Sequence, residues 1–178
     1  ATPLALVTLA ASIAFDAPSS GLPESLRSAW LPVHLSFAIG ADALLAVAGV
    51  TSVAYLVQER MLRTKRLGVM FRNLPPLHLL DEVVHRLLVL GWLLMTFGIV
   101  AGAFFAKQQW GAYWSWDPRQ TWSLLTWCLF AAILHARVTV GWRGRRAAYL
   151  TLVAVVLVLA AIPALAWLTH TRHGGDFA

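Results

Sequence analysis

VVHRLLVLGWLLMTFGIVAGAFFA, residues 83–106, is the stretch that decides the fold. After Arg86 it carries no charged side chain. A helix of this length, rising about 1.5 Å per residue, reaches across the roughly 30 Å hydrocarbon core of a bilayer. Runs of the same kind lie at Leu31–Val57, Arg119–Val140 and Ala148–Thr169, and a shorter one at Ala1–Phe15. They are rich in Leu, Ala and Val, without the short alternation of barrel strands. A chain in lipid must satisfy its backbone internally, so helices are expected. The expectation is an all-α fold, a polytopic transmembrane helix bundle of four full spans plus a partial amino-terminal span, forming a single membrane domain over residues 1–178. The Ala1–Phe15 run is too short to cross comfortably; it reads as the end of a helix that starts upstream, or as a processed terminus.

The segments between the runs are polar or broken by proline. Asp16–Ser28, with Pro18, Gly21 and Pro23, is a loop; Pro75-Pro76 stops any helix continuing from the first full span, and His78 beside them is assigned to that loop. Pro118 suits the first turn of the helix that follows it. Hydrophobic residues make up 59% of the 178 and charged ones 12%, about half the charge of an ordinary soluble domain. The net charge of +6 does not point to nucleic acid, because the basic residues sit in short loops, where they set orientation. Ten of the 14 Lys and Arg residues fall on one side: Arg60, Arg63, Lys65, Arg66, Arg72, Arg86, Arg137, Arg143, Arg145 and Arg146. The positive-inside rule makes that side cytoplasmic and the Trp-rich segment external. Cys128 is the lone cysteine, so the chain has neither an internal disulfide nor a CxxCH pattern of its own.

The external segment reads Trp110-Gly111-Ala112-Tyr113-Trp114-Ser115-Trp116-Asp117-Pro118, with Trp122 and Trp127 beyond it. One reading is an aromatic belt at the membrane interface. The other follows if the stretch is helical: Trp110, Tyr113, Trp114 and Asp117 then share a face and offer a flat aromatic platform to a large planar ligand, with indole N–H groups and Arg119 available to carboxylates. Histidine is costly in a bilayer and recurs here. His34 lies about one turn into the first full span and His170 closes the last on the same, external side, with His173 just past it; His85 and His135 lie toward the cytoplasmic face. Neutral imidazole is a standard axial ligand of haem iron, while a single His at a helix end also serves as a cap or interfacial hydrogen-bonding group. Asp42, near the middle of the first span, either pairs with a polar group on another helix or lines a path.

The run from Trp110 through Asp117-Pro118-Arg119-Gln120-Thr121-Trp122 to Trp127, ending at Leu134-His135-Ala136-Arg137, resembles the WWD signature of the CcsA/ResC cytochrome c biogenesis proteins, and the resemblance extends from about Leu31 to His170. It implies the system II pathway, in which a CcsA-like protein works with a CcsB/ResB-like membrane partner to carry haem b across a bacterial inner membrane or a thylakoid and present it to the CxxCH motifs of apocytochrome c. It further implies a cofactor-binding set of His34, Trp110, Trp114, Trp116, Asp117, Trp122, His135 and His170, with His34 and His170 as axial ligands of the haem iron and His173 as the rival to His170. Where the family usually reads Asp-Pro-Lys-Glu, this chain has Arg119-Gln120, and His85 stands where an aromatic residue is expected. No nucleophile or catalytic dyad is found, so a haem-attachment component would act by positioning. Two other readings remain: a CcmC-like haem exporter without lyase activity, and a HemX-like structural membrane subunit that holds no haem.

Overall fold

The computed structural model describes residues 28–65 and 74–173, with side chains to residue 160. Its elements are four helices: α1, Trp30–Arg63; α2, Leu77–Trp110; α3, Pro118–Thr139; and α4, Arg145–His173. Among the described residues, α1, α2 and α3 are long and apolar enough to cross a membrane. The expected fourth span, 148–169, lies within α4, and the expected partial span at Ala1–Phe15 falls outside the described residues. Three helices of this length and composition are those of an integral membrane helical protein.

The helices run longer than the apolar runs that announce them. α1 continues through Arg60 to Arg63, and Glu59 accepts both Nε and Nη2 of Arg63 at 3.0 and 2.8 Å, an i,i+4 pair that supports the helix beyond its apolar run. α2 starts at Leu77 rather than at Val83, which corrects the assignment of His78 to a loop: His78 is in the first turn. The reason is that Pro76 precedes the helix, where its carbonyl accepts the amides of Leu79 and Leu80 and its missing N–H costs nothing.

The described residues form two compact units, with boundaries inside α1, α2 and α3. Unit 1 takes the chain up to Val47 and Arg86–Trp127. Here α1 and α2 lie antiparallel, rung by rung. Ser28 donates its hydroxyl to the Gln108 side chain, Trp30 stacks on Phe104 with centroids 4.7 Å apart, and Phe37 meets Phe97. Farther along, a Cβ on Gly91 would come within 3.0 Å of Leu45. Small residues at such crossings let backbones approach in lipid, where packing replaces the hydrophobic effect as the driving force.

Unit 2 takes Ala48–His85 and the chain from Cys128. Tyr55, Leu80 and Ala148 form its buried cluster, and Gly49 lies so near Val155 that a Cβ there would approach it to 3.0 Å. Its polar centre is Asp81. The carboxylate accepts Arg137 Nη2 at 3.1 Å and the Gly144 amide at 3.0 Å through the same oxygen, and the Arg137 side chain is only 5% exposed. Arg137 Nη1, Gln58 Oε1, His85 Nδ1 and Thr151 Oγ1 are buried without a partner among the described residues.

Candidate functional site

The Trp-rich segment leaves α2 abruptly. Gly111 takes φ 74° and donates its amide to the Lys107 carbonyl at 3.0 Å, the left-handed stop that glycine provides at a helix end. Lys107 reaches forward to the Gly111 carbonyl at 2.7 Å and lies 5.4 Å from the Tyr113 ring centroid, placing a cation at the carbonyl end of the helix. At the other end Asp117 caps α3. Its Oδ1 accepts the Arg119 amide at 2.8 Å, its carbonyl accepts the Thr121 amide at 2.9 Å, and Pro118 fills the first helical position as expected.

Residues 111–117 are not helical, so the shared face of Trp110, Tyr113, Trp114 and Asp117 does not form. Two left-handed residues, Gly111 and Trp116, prevent it. The rings pair separately instead: Trp110 edge-on to Phe105, Tyr113 edge-on to Phe104, and Trp114 edge-on to Trp116 at 86° and 5.8 Å between centroids. Rather than a flat platform, the segment presents a right-angled pair with Trp116 73% exposed. A bulky residue at φ 55° is strained by about 1–3 kcal/mol and needs neighbours to hold it. Gln120 is one such neighbour: its Oε1 accepts both the amide and the hydroxyl of Ser115, at 2.9 and 3.1 Å. Sequence reasoning noted Gln120 only as a missing carboxylate.

Trp92, Thr96 and Trp127 join α2 to α3 in the same unit. Trp127 Nε1 donates to Thr96 Oγ1 at 2.8 Å, Trp92 Nε1 donates to the Trp127 carbonyl at 3.2 Å, and the two indoles stack at 5.0 Å. Trp114 and Trp122 differ: their Nε1 atoms are buried and have no acceptor among the described residues.

His34 sits against α2. Its Nδ1 lies 2.8 Å from the Gly98 carbonyl, which can only accept, so Nδ1–H is the donor and Nε2 is the nitrogen left for a lone pair. The ring also occupies the space beside Gly102, where a Cβ would come within 2.9 Å of Nδ1. This glycine notch was missed at the sequence level, although its signal, two glycines four apart in an apolar helix, is present.

Of the other expected residues, Asp117 is engaged as a cap and Arg119 is exposed. His135 is exposed and belongs to unit 2, as does the backbone of His170; the His170 and His173 side chains lie outside the described residues. Asp42 is exposed. No group of three or more metal-ligating side chains occurs among the described residues.

A family model described as cytochrome c assembly protein matches residues 1–173. Similar curated proteins include the cytochrome c biogenesis protein CcsA of a Synechococcus species, 37% identical over 183 residues that cover 89% of this chain and 60% of that protein. CcsA of Prochlorococcus marinus is 35% identical over 188 residues, covering 89% and 59%; CcsA of Synechococcus elongatus is 38% identical over 198 residues, covering 85% and 61%. The chain thus spans about 60% of the length of the curated relatives it matches. No solved structure matches it. The signature on its turn and the family match along nearly all of its length agree: this chain belongs to the cytochrome c assembly protein family.

Proposed function

We propose that this protein handles haem at the non-cytoplasmic face of its membrane and presents it for covalent attachment to apocytochrome c, working with a CcsB/ResB-like membrane partner. The names of its relatives support a place in cytochrome c biogenesis. The observation that carries the haem reading is the pair of buried, unpartnered indole N–H donors, Trp114 and Trp122. Unpartnered buried atoms occur in unit 2 as well, the donor-only Nη1 of Arg137 among them, but these two indoles lie on either side of the strained and exposed Trp116. A buried donor without an acceptor is costly, and a carboxylate is its natural partner.

The residues of unit 1 fit an iron porphyrin by donor chemistry. His34 keeps a lone pair on Nε2 for a metal, the two indoles can meet propionates, and exposed Trp116 can cover an apolar ring face. Haem b, as cargo, brings the vinyl groups that become thioethers to a CxxCH motif. The chain's contribution is to bind, orient and shield from water, with no proton-transfer group required of it. The resemblance assigns a second axial imidazole to His170.

The test is an optical spectrum of the purified protein co-expressed with its partner. A Soret band is expected, lost in His34→Ala and recovered on adding imidazole; His170→Ala examines the second ligand in the same way. An unchanged band in His34→Ala removes that residue from the ligand set, and wild-type protein without any band supports a structural subunit. Haem-loaded protein that passes haem to a chaperone but never to a CxxCH apocytochrome supports the exporter.

A further inference from the structure

We infer that Gly102 and the main-chain carbonyl of Gly98 position His34, fixing its tautomer and ring plane so that Nε2 is the nitrogen offered to iron. The inference rests on the reading of His34 as a haem ligand and adds the residues that make it one.

Three observations meet at this point. The Gly98 carbonyl lies 2.8 Å from Nδ1, so the acceptor side of the ring is Nε2 by elimination. A Cβ on Gly102 would stand 2.9 Å from Nδ1 and 3.0 Å from Cε1, closer than real side chains approach, so glycine alone leaves the ring its place. A Cβ on Gly98, by contrast, would make only ordinary contacts at 3.5–3.7 Å with Ala38 and Phe37, and the carbonyl would remain. Two glycines four residues apart therefore have different duties: one supplies an acceptor that any residue would supply, the other supplies empty space. Above and below, the Trp30–Phe104 stack and the Phe37–Phe97 contact hold α1 in register on α2, so the ring cannot evade a new methyl by sliding.

The chemistry that follows is that of a ligand tuned from its far side. An imidazole whose Nδ1–H is held by a carbonyl has one defined metal-binding nitrogen and greater basicity at it, and loss of such an outer partner commonly costs roughly 10- to 100-fold in affinity for the metal. Greater basicity favours ferric over ferrous iron, so the contact also lowers the reduction potential.

The experiment compares haem-loaded wild type, His34→Ala, Gly102→Ala and Gly98→Ala, each with its partner, by haem affinity, iron spin state and reduction potential, with thermal unfolding as the check on folding. Gly102→Ala is expected to lose roughly tenfold or more in haem affinity and to shift toward high-spin iron. Its remaining low-spin fraction should show a raised potential, and Gly98→Ala should match wild type. If His34→Ala loses the low-spin signal while Gly102→Ala equals wild type in all three readouts, the positioning role is wrong and the ligand role stands. If His34→Ala itself changes nothing, the ligand reading fails and the inference falls with it. Should Gly102→Ala not accumulate folded, His34→Gly decides with Gly102 intact. Imidazole, whose second nitrogen can donate to the Gly98 carbonyl, should restore low-spin iron at roughly tenfold lower concentration than 1-methylimidazole, which cannot. Equal rescue by the two overturns the proposal.

Discussion

Two short connections join the last three helices, and they are built to different ends. The one between α3 and α4, in unit 2, places glycine at its left-handed positions, Gly141 and Gly144, and ties the Gly144 amide to the Asp81 carboxylate that Arg137 also holds. The one between α2 and α3, in unit 1, places glycine at its first left-handed position and tryptophan at its second, exposes that tryptophan, and buries the Trp114 indole donor without an acceptor, as the first turns of α3 do that of Trp122. Backbone that only has to turn uses the residue that turns without strain. Strain and an unmet hydrogen bond kept together in one connection are what the proposed haem reading rests on.

The contrast is broken most severely at Arg137. Arg137→Ala leaves the Asp81 carboxylate without its cation, and a loss of about 3 kcal/mol is expected in denaturant unfolding of the detergent-solubilised protein, since removing one member of a buried pair strands the other. Arg137→Ala with Asp81→Asn should recover part of it; no recovery would mean that the arginine acts through packing instead. Next is Gly144→Ala, at about 2 kcal/mol, because the new Cβ meets both an unfavourable φ of 65° and the Tyr55 hydroxyl at 2.8 Å. An unaltered unfolding midpoint would show that the turn relaxes freely.

On the unit 1 side the expected effects are on binding. Trp114→Phe combined with Trp122→Phe removes both unpartnered donors and should weaken haem binding about tenfold, near 1.4 kcal/mol, while stability falls less than in Trp127→Phe, which breaks a made bond to Thr96. Equal haem affinity would dissociate the indoles from the ligand. Smallest is Trp116→Gly, expected to raise stability by about 1 kcal/mol through relief of strain even as haem binding weakens. A fall in stability would show that the Trp116 ring, not its backbone, is what the turn depends on.

Three of the expected spans, those in α1, α2 and α3, were legible because lipid imposes a crude rule: enough consecutive apolar residues and a helix follows. Pro118 was legible as a helix start for a similarly local reason. The boundaries were less so. Hydropathy marks only the apolar run, whereas α1 and α2 continue for one or two turns on charged residues such as Glu59 and Arg63 and behind Pro76. The shared aromatic face expected of the Trp-rich segment does not form. Periodicity assumed a helix, and no propensity predicts a left-handed tryptophan. The contact between His34 and Gly98, 64 residues apart, belongs to tertiary register, which a single sequence does not print.

The backbone at Trp116 also bears on the history of such chains. An exposed indole at a left-handed position is disfavoured twice over by stability alone, and drift without purpose would soon exchange it for glycine or asparagine. On the proposed haem reading that position is a gauge: among relatives of this protein, loss of the aromatic ring there would be an early sign of a lineage that has kept its helices and abandoned its work.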